Sequence, residues 1–298
     1  MAPHVIITAD DFGLDLAINE AVEKSFRHGI LTAASLMIGQ PPAPDAVERA
    51  RRLPGLRVGL HVAVTGGVLP VLPPGRLADL VDRSGRLPTH LTAFGLKLAM
   101  SRAARRQVHA EIRAQFEAFA ATGLELDHAN AHQHFHLHPF VLGSIMRVGR
   151  DFGLKAVRLP YEPLWLADAV AATGPRAGRM EAAVWALGAR WMRRKLRAGG
   201  LACNDYLFGL RDSGQIEERT MCAALQNLRP GVVELYLHPA TRNGATERAS
   251  GVGPHAQEEF ASLMSPAARA QLLALGSTVG GYRDIPDTAF ASLAARGA

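Results

Sequence analysis

Residues 5–13 read V-I-I-T-A-D-D-F-G, and this stretch decides the fold. A short apolar, β-branched run makes a buried strand over 5–8, closed by two adjacent carboxylates, Asp10 and Asp11. Carboxylates side by side at a strand end repel each other unless a cation or a proton relay occupies the site. A second polar strand end lies further along, where residues 130–139 read N-A-H-Q-H-F-H-L-H-P. Four histidines in alternation are too polar to fill a core. The simplest account brings both segments to one metal and makes the chain a metal-dependent hydrolase.

Outward from these two stretches the chain alternates regularly. Strands are predicted at 5–8, 32–38, 57–62, 126–132, 156–159, 205–208 and 232–237, and helices at 16–28, 43–52, 103–122 and 140–152. Strand and helix in alternation mean right-handed βαβ units and a largely parallel sheet. About seven such strands predict an α/β fold of (β/α) barrel type, a distorted or incomplete TIM-type barrel. With 298 residues, 48% of them hydrophobic, the chain can bury a sizeable core, and 1–298 reads as a single domain.

Several function classes lose ground. No Gly-rich dinucleotide or Walker-type phosphate loop is present. Cys203 and Cys222, the only cysteines, offer neither a disulfide framework nor a thiolate metal site, which fits a reducing cytosol. The first strand starts too early to leave room for a secretory leader, and no run of about 18 apolar residues exists. A cytoplasmic location is therefore expected.

In parallel α/β folds the carboxyl ends of all strands face one rim, where ligands bind. Asp10, Asp11, His61, His132 and His238 all stand at strand ends and should converge there. A hydrolytic metal site wants three protein ligands and an open position, and Asp11, His61 and His132 supply such a set. Two imidazoles favour zinc over magnesium as the one divalent cofactor. Alternation along the strand is expected to put His132, His134 and His136 on one face. His132 is taken as the ligand, while His134 and His136 become its outer partners, substrate contacts, or rim histidines bonded to backbone. Asp10 remains as the base, and His238, on another strand end, as the acid that protonates the leaving amine.

With these residues in hand the chain resembles the YdjC-like carbohydrate deacetylases, the family of chitooligosaccharide deacetylase. The matching motifs are residues 8–13 (T-A-D-D-F-G), 59–62 (G-L-H-V), 130–136 (N-A-H-Q-H-F-H) and 237–240 (L-H-P-A), with G-Y-R at 281–283 similar to the family's closing segment. Stretches 31–37, 132–139 and 157–163 are similar to the hopanoid-biosynthesis-associated branch. The resemblance implies a barrel-like fold and N-deacetylation of an acetylated amino sugar, with the metal on Asp11, His61 and His132, Asp10 as base and His238 as acid. For that branch it implies a lipid-linked substrate, an N-acetylglucosamine head group on a bacteriohopane. One departure is that the family's Asp-Ser before the ligand histidine is Asn130-Ala131 here, so that a hydrogen-bond acceptor remains but no charge. Arg158, at the end of the strand over 156–159, is placed to hold a substrate oxygen or the base carboxylate.

The formal charge is +6, overwhelmingly from arginine. Residues 163–200 read as a helical insertion that holds all three tryptophans, Trp165, Trp185 and Trp191. Within 176–197, seven basic residues face the single acid Glu181, and Met180, Val184, Leu187 and Trp191 form an apolar stripe. A basic amphipathic helix with aromatic anchors predicts a lid or a peripheral contact with the inner membrane surface, against the plainer reading of a packed helix with a solvated face. No nucleic-acid recognition motif is visible, and a homodimer stays open. The alternatives are a deacetylase of soluble chitooligosaccharides, a phosphoester or glycoside hydrolase on a similar barrel, and a non-catalytic metal-binding protein.

Overall fold

The computed structural model describes residues 2–170, 179–244 and 253–285, apart from the side chains of 179–184. Its centre is β1 (His4–Phe12), buried over its whole length. The other strands are β2 (Ala33–Leu36), β3 (Arg57–Val62), β4 (Leu126–Ala131), β5 (Tyr206–Phe208), β6 (Val232–Leu237) and β7 (Thr278–Gly280). The sheet runs β4-β3-β2-β1-β6-β5, all parallel. β7 pairs with His4–Ile6 of β1 while β2 pairs with the stretch from Thr8 to Phe12, so the two share one edge of the central strand.

Helices α1 (Leu16–His28), α2 (Ala43–Arg51), α3 (Leu91–Met100), α4 (Arg102–Ala121), α5 (Pro139–Asp151), α6 (Leu164–Val170), α7 (Arg179–Ala198), α8 (Glu218–Gln226), α9 (Ala256–Met264) and α10 (Pro266–Ala274) complete the described elements. Local chemistry sets several boundaries. Asp15 caps α1 through Ala17 N, and Ser101 and Ser265 cap α4 and α10 in the same way. Pro139 and Pro266 open α5 and α10, where a missing N–H costs nothing.

The sheet curls until its edge strands are joined through the extended strip 155–161. Ala129 of β4 donates to Ala156 O at 3.0 Å and accepts from Arg158 N at 3.1 Å, Val157 N reaches Ala202 O at 3.0 Å, and Leu207 N reaches Tyr161 O at 2.8 Å. The distorted, incomplete barrel expected from the sequence is what forms. Its membership differs, because 156–159 makes only isolated bridges. The strip swaps partners within a few residues, and Pro160 has no N–H to extend a ladder. β7, in turn, was not expected as a strand.

Period-two alternation sorts the strand residues. Val5, Ile7 and Ala9 pack outward into the main core under the helices. Ile6 faces inward with Ala33, Ala156, Ala202, Val232 and Tyr282, sealing the amino end of the barrel. Above that apolar layer the interior turns polar: Thr8, Ser35, His128, Asn130, Arg158 and Glu234 are all fully buried. Gly59 makes this possible on β3, since a Cβ there would lie 2.4 Å from the His128 ring.

Glu162 follows the closing strip and is 6% exposed. One carboxyl oxygen accepts from Arg211 N at 2.9 Å and the other has no hydrogen-bond partner. Burial pushes its carboxyl up to about 7. A carboxyl raised on folding binds more protons in the native state between its unfolded and folded pKa values, so stability falls as pH rises through that window. Glu162→Gln is expected to raise the unfolding free energy by about 2–3 kcal/mol at pH 8 and by little at pH 5. Urea denaturation at the two pH values measures it.

Candidate active site

The β1 strand does not end smoothly. Asp11 has φ 61, in the left-handed region that a non-glycine residue rarely adopts, and the β1–β2 register shifts between Ala9 and Phe12. The break turns the Asp11 carboxylate toward the carboxyl ends of β3 and β4. There Asp11 Oδ1 lies 3.1 Å from His61 Nε2 and 3.0 Å from His132 Nδ1, and the two imidazole nitrogens are 3.4 Å apart.

Among the described residues this trio is the one group of three that could share an ion. Nitrogen and oxygen ligands about 2.0–2.2 Å from a divalent cation sit about 2.9–3.5 Å from each other at octahedral or tetrahedral angles. The observed triangle has those edges. The tautomer argues the same way. Asn130 Nδ2 donates to Asp10 Oδ1 at 3.1 Å and to Ser35 Oγ at 3.0 Å, which leaves Asn130 Oδ1 to accept from His61 Nδ1 at 2.7 Å. With its proton on Nδ1, His61 presents a lone pair at Nε2, directly at the Asp11 carboxylate. A carboxylate and the His61 lone pair turned on one point, with His132 Nδ1 3.0 Å from the same carboxylate oxygen, are a donor set for a cation. His132 is the partly exposed member, so access is from its side. Gly66, at φ +92, passes so close that a Cβ would lie 2.4 Å from the His132 ring.

The histidine run departs from the expected alternation. β4 stops at Ala131, and residues 132–137 form a 3-10 turn in which Gln133 and His134 take φ 54 and 53. His132, His134 and His136 therefore do not share a strand face. His134 Nε2 meets the Tyr236 hydroxyl at 2.9 Å, and His136 Nε2 meets Arg158 O at 3.0 Å. Burial lowers both rings, His136 to about 3, so both are neutral imidazoles. His138 caps α5 through Phe140 N. Of the four histidines, His132 alone joins the triad.

Asp10 lies beside the triad, tied to His61 through Asn130. Arg158 donates to Asp10 Oδ2 at 2.5 Å and Oδ1 at 2.9 Å, and to the two oxygens of Glu234 at 2.9 and 2.7 Å. Of the two roles open to Arg158, contact with the base carboxylate is the one this geometry contains. Burial alone would raise the Asp10 carboxyl, but Arg158, with His61 beside it, outweighs burial and holds the carboxyl well below the usual range. Arg158 is held above its ordinary value by Asp10 and Glu234 despite its own burial. Counting acceptor sites, Asp10 Oδ1 is filled by Arg158 and Asn130, whereas Oδ2 keeps one lone pair.

His238 stands past the end of β6, about a quarter exposed, its ring 5.6 Å from that of Tyr236. Its backbone N–H donates to Glu259 at 2.5 Å, and Nδ1 lies 4.0 Å from the same carboxylate. Glu234, Tyr236 and Glu259 are part of the site's framework and were not picked out from the sequence, and Tyr282 entered there only within the G-Y-R segment. A lone glutamate inside the apolar run V-V-E-L-Y-L of β6 was the available signal.

A family model described as YdjC-like protein matches residues 4–274. The chain belongs to that family. This YdjC-like protein is similar to a carbohydrate deacetylase of Brevibacillus brevis, 31% identical over 162 residues, which is 54% of this chain and 60% of the relative. It is also similar to a carbohydrate deacetylase of Vibrio vulnificus, 34% identical over 148 residues, 50% of this chain and 56% of the relative. The chain thus spans less than two thirds of the length of these curated relatives. In fold it is similar to a crystal structure of an Enterococcus faecalis V583 protein named for cellobiose-phosphate cleavage, with a TM-score of 0.71 at 21% identity, covering 96% of this chain and 99% of the other.

In this YdjC-like protein the uncharged Asn130 accepts from His61 Nδ1 and donates to Asp10 and Ser35. Asn130→Leu is expected to weaken the affinity of the Asp11–His61–His132 group for an added divalent cation about 10- to 100-fold, and Asn130→Asp to preserve it, as read by competition with a chromophoric chelator. Glu234→Leu leaves Arg158 one carboxylate short in a dry interior and is expected to cost about 3–5 kcal/mol in a denaturant titration.

Proposed function

We propose that this chain is a divalent-metal-dependent hydrolase that removes the N-acetyl group from an acetylated amino sugar. The observation that carries this reading is the Asp11–His61–His132 triangle, with an ionised carboxylate, Asp10, bound to the same Asn130. The relatives named as carbohydrate deacetylases support loss of an acetyl group from a carbohydrate, and the amide bond of an amino sugar is part of the proposal.

Asp11, His61 and His132 would hold the cation, and two imidazoles with one carboxylate favour zinc over magnesium. When bound, the ion supplies Lewis-acid chemistry, making water acidic enough to lose a proton near neutral pH and polarising an acyl oxygen. Asp10 is the base. Arg158 keeps it ionised and fixes its plane, and the remaining lone pair on Oδ2 takes the proton from the attacking water. The same arginine makes Asp10 a weak base. His238 is the acid. An amide nitrogen leaves badly unless protonated, and His238 stands on another strand end with its backbone anchored by Glu259. His134, neutral and half-buried, is a candidate contact for a sugar hydroxyl, whereas His136 is fully buried on Arg158 O and supports the closing strip instead.

The finer substrate we propose is an N-acetylglucosamine head group on a bacteriohopane lipid, supported by the stretches 31–37, 132–139 and 157–163. Purified protein loaded with one equivalent of zinc is incubated with an N-acetylglucosaminyl hopanoid and, separately, with chitooligosaccharides, and acetate is measured. Acetate from the hopanoid conjugate is the expected result; acetate from the soluble sugars alone would overturn the lipid assignment, and acetate from neither would overturn the deacetylase. Asp10→Asn is expected to lower kcat about 10²- to 10⁴-fold while retaining the metal. Loss of metal together with turnover in that variant would make Asp10 a ligand instead of a base.

A further inference from the structure

The cationic stripe seen in the sequence has a definite place in the fold. α7 packs on the barrel through Ala189, Met192 and Leu196, all buried. At about 100° per residue these three fall in one arc, and Leu187 and Trp191 fall on the opposite side. Leu187 is 67% exposed and Trp191 36%. The packed face is therefore not the stripe the sequence suggested. Two of that stripe's members point to solvent, and the side chains of Met180 and Val184 lie outside the described residues.

Between these two faces, one flank of α7 lines a cleft of about 1030 Å³. Five arginines face it: Arg190, Arg193, Arg194 and Arg197 from α7, and Arg229 from the turn before β6. Its single acidic lining residue is Asp205, whose charge is already committed to Val232 N at 2.9 Å and to Arg193 at 3.8 Å. Arg229 lies 3.9 Å over the Trp165 ring. Arg190, Arg194 and Arg197 have no hydrogen bond or ion pair among the described residues. Like-charged guanidiniums crowded into a cleft raise one another's energy unless an anion enters. The cleft opens beside the amino-terminal ends of β5 and β6, whereas the metal triad sits at the carboxyl ends, so an occupant here leaves the rim open.

We infer that the α7 face is a docking site for an anionic phospholipid surface, with phosphate head groups entering the arginine cleft and Leu187 and Trp191 entering the interface. Charge complementarity supplies the first half: arginine pairs with phosphate oxygens in a forked geometry, and several together bind a surface lined with them. The exposed leucine and tryptophan supply the second. A leucine and a tryptophan side by side on the solvent face of a basic helix match the boundary between head groups and acyl chains, not bulk water. Soluble phosphate would satisfy the arginines but leave these two side chains unexplained. The inference does not rest on the deacetylase reading, since docking is measured without turnover.

Flotation with equimolar phosphatidylglycerol and phosphatidylcholine vesicles tests it, with pure phosphatidylcholine as the control. Wild type is expected to float with the anionic vesicles alone. Each of Arg190→Gln and Arg194→Gln should lower the partition constant about fivefold. Leu187→Ser and Trp191→Ser should each lower it further, roughly tenfold at most. All four positions are solvent-facing, and thermal melting of each single variant checks that it is folded. Wild type that stays at the bottom of the gradient, or single variants that all float as it does, would overturn the inference. Inorganic phosphate that raises the melting temperature and displaces the protein from vesicles, beyond chloride at equal ionic strength, would make the cleft a soluble-phosphate site and equally overturn it.

Discussion

A guanidinium without solvent exposure, Arg158, sits between two carboxylates inside the barrel, and the rest of the site is arranged around it. A lone buried charge would be intolerable, and a single ion pair would barely offset its own desolvation. Arg158 is instead answered by Asp10 and Glu234 together. The second negative charge is spread over donors, with the Thr8 hydroxyl at 2.7 Å and the Tyr282 hydroxyl at 2.6 Å from Glu234. Tyr282 comes from the end of the described chain, so this network ties the last segment to the first strand. It also leaves Asp10 ionised and oriented at the rim.

From Asp10 the order passes outward through one amide. Asn130 holds Asp10, Ser35 and His61 at once, and Ser35 in turn meets His128 at 3.1 Å, which is paired with Asp127. Asp10, Asn130, Ser35, His61, His128 and Asp127 each have a hydrogen-bond partner in this relay, which lets so polar an interior stay buried. The backbone bears the cost at the rim. Asp11, Gln133 and His134 all adopt left-handed conformations, and such strain persists where the surrounding contacts over-determine it. The result is a triad whose ligand atoms converge before any ion is added.

The molecule keeps its two kinds of charge apart. The rim gathers acceptors turned on one point, and the flank of α7 gathers guanidiniums with little to neutralise them. No helix among the described residues is long and apolar enough to cross a membrane.

Much of this was legible in the residues. Helix α1 and strands β3 and β6 were expected at the bounds they take, and the polar ends of β1, β3, β4 and β6 pointed to one rim because parallel strands share a direction. Short α8, α9 and α10, each of nine residues, carried too little period to be read, although Ser265-Pro266 was an available start signal. His132 was already the ligand expected from its place at the strand end; what only the tertiary structure decided is where the other histidines go, and which groups answer Arg158. Strand alternation would have put His132, His134 and His136 on one face, but the chain leaves the strand at His132 and sends each ring to a different partner. The choice depends on side-chain direction across strands far apart in sequence, and local periodicity holds no information about that. Amino-acid sequence alone determined that histidines and aspartates would crowd one end of a parallel barrel, since residue type and strand polarity are local properties. Their selection into ligand, base and support is a long-range matter, settled when buried charge and backbone strain had to be balanced in three dimensions.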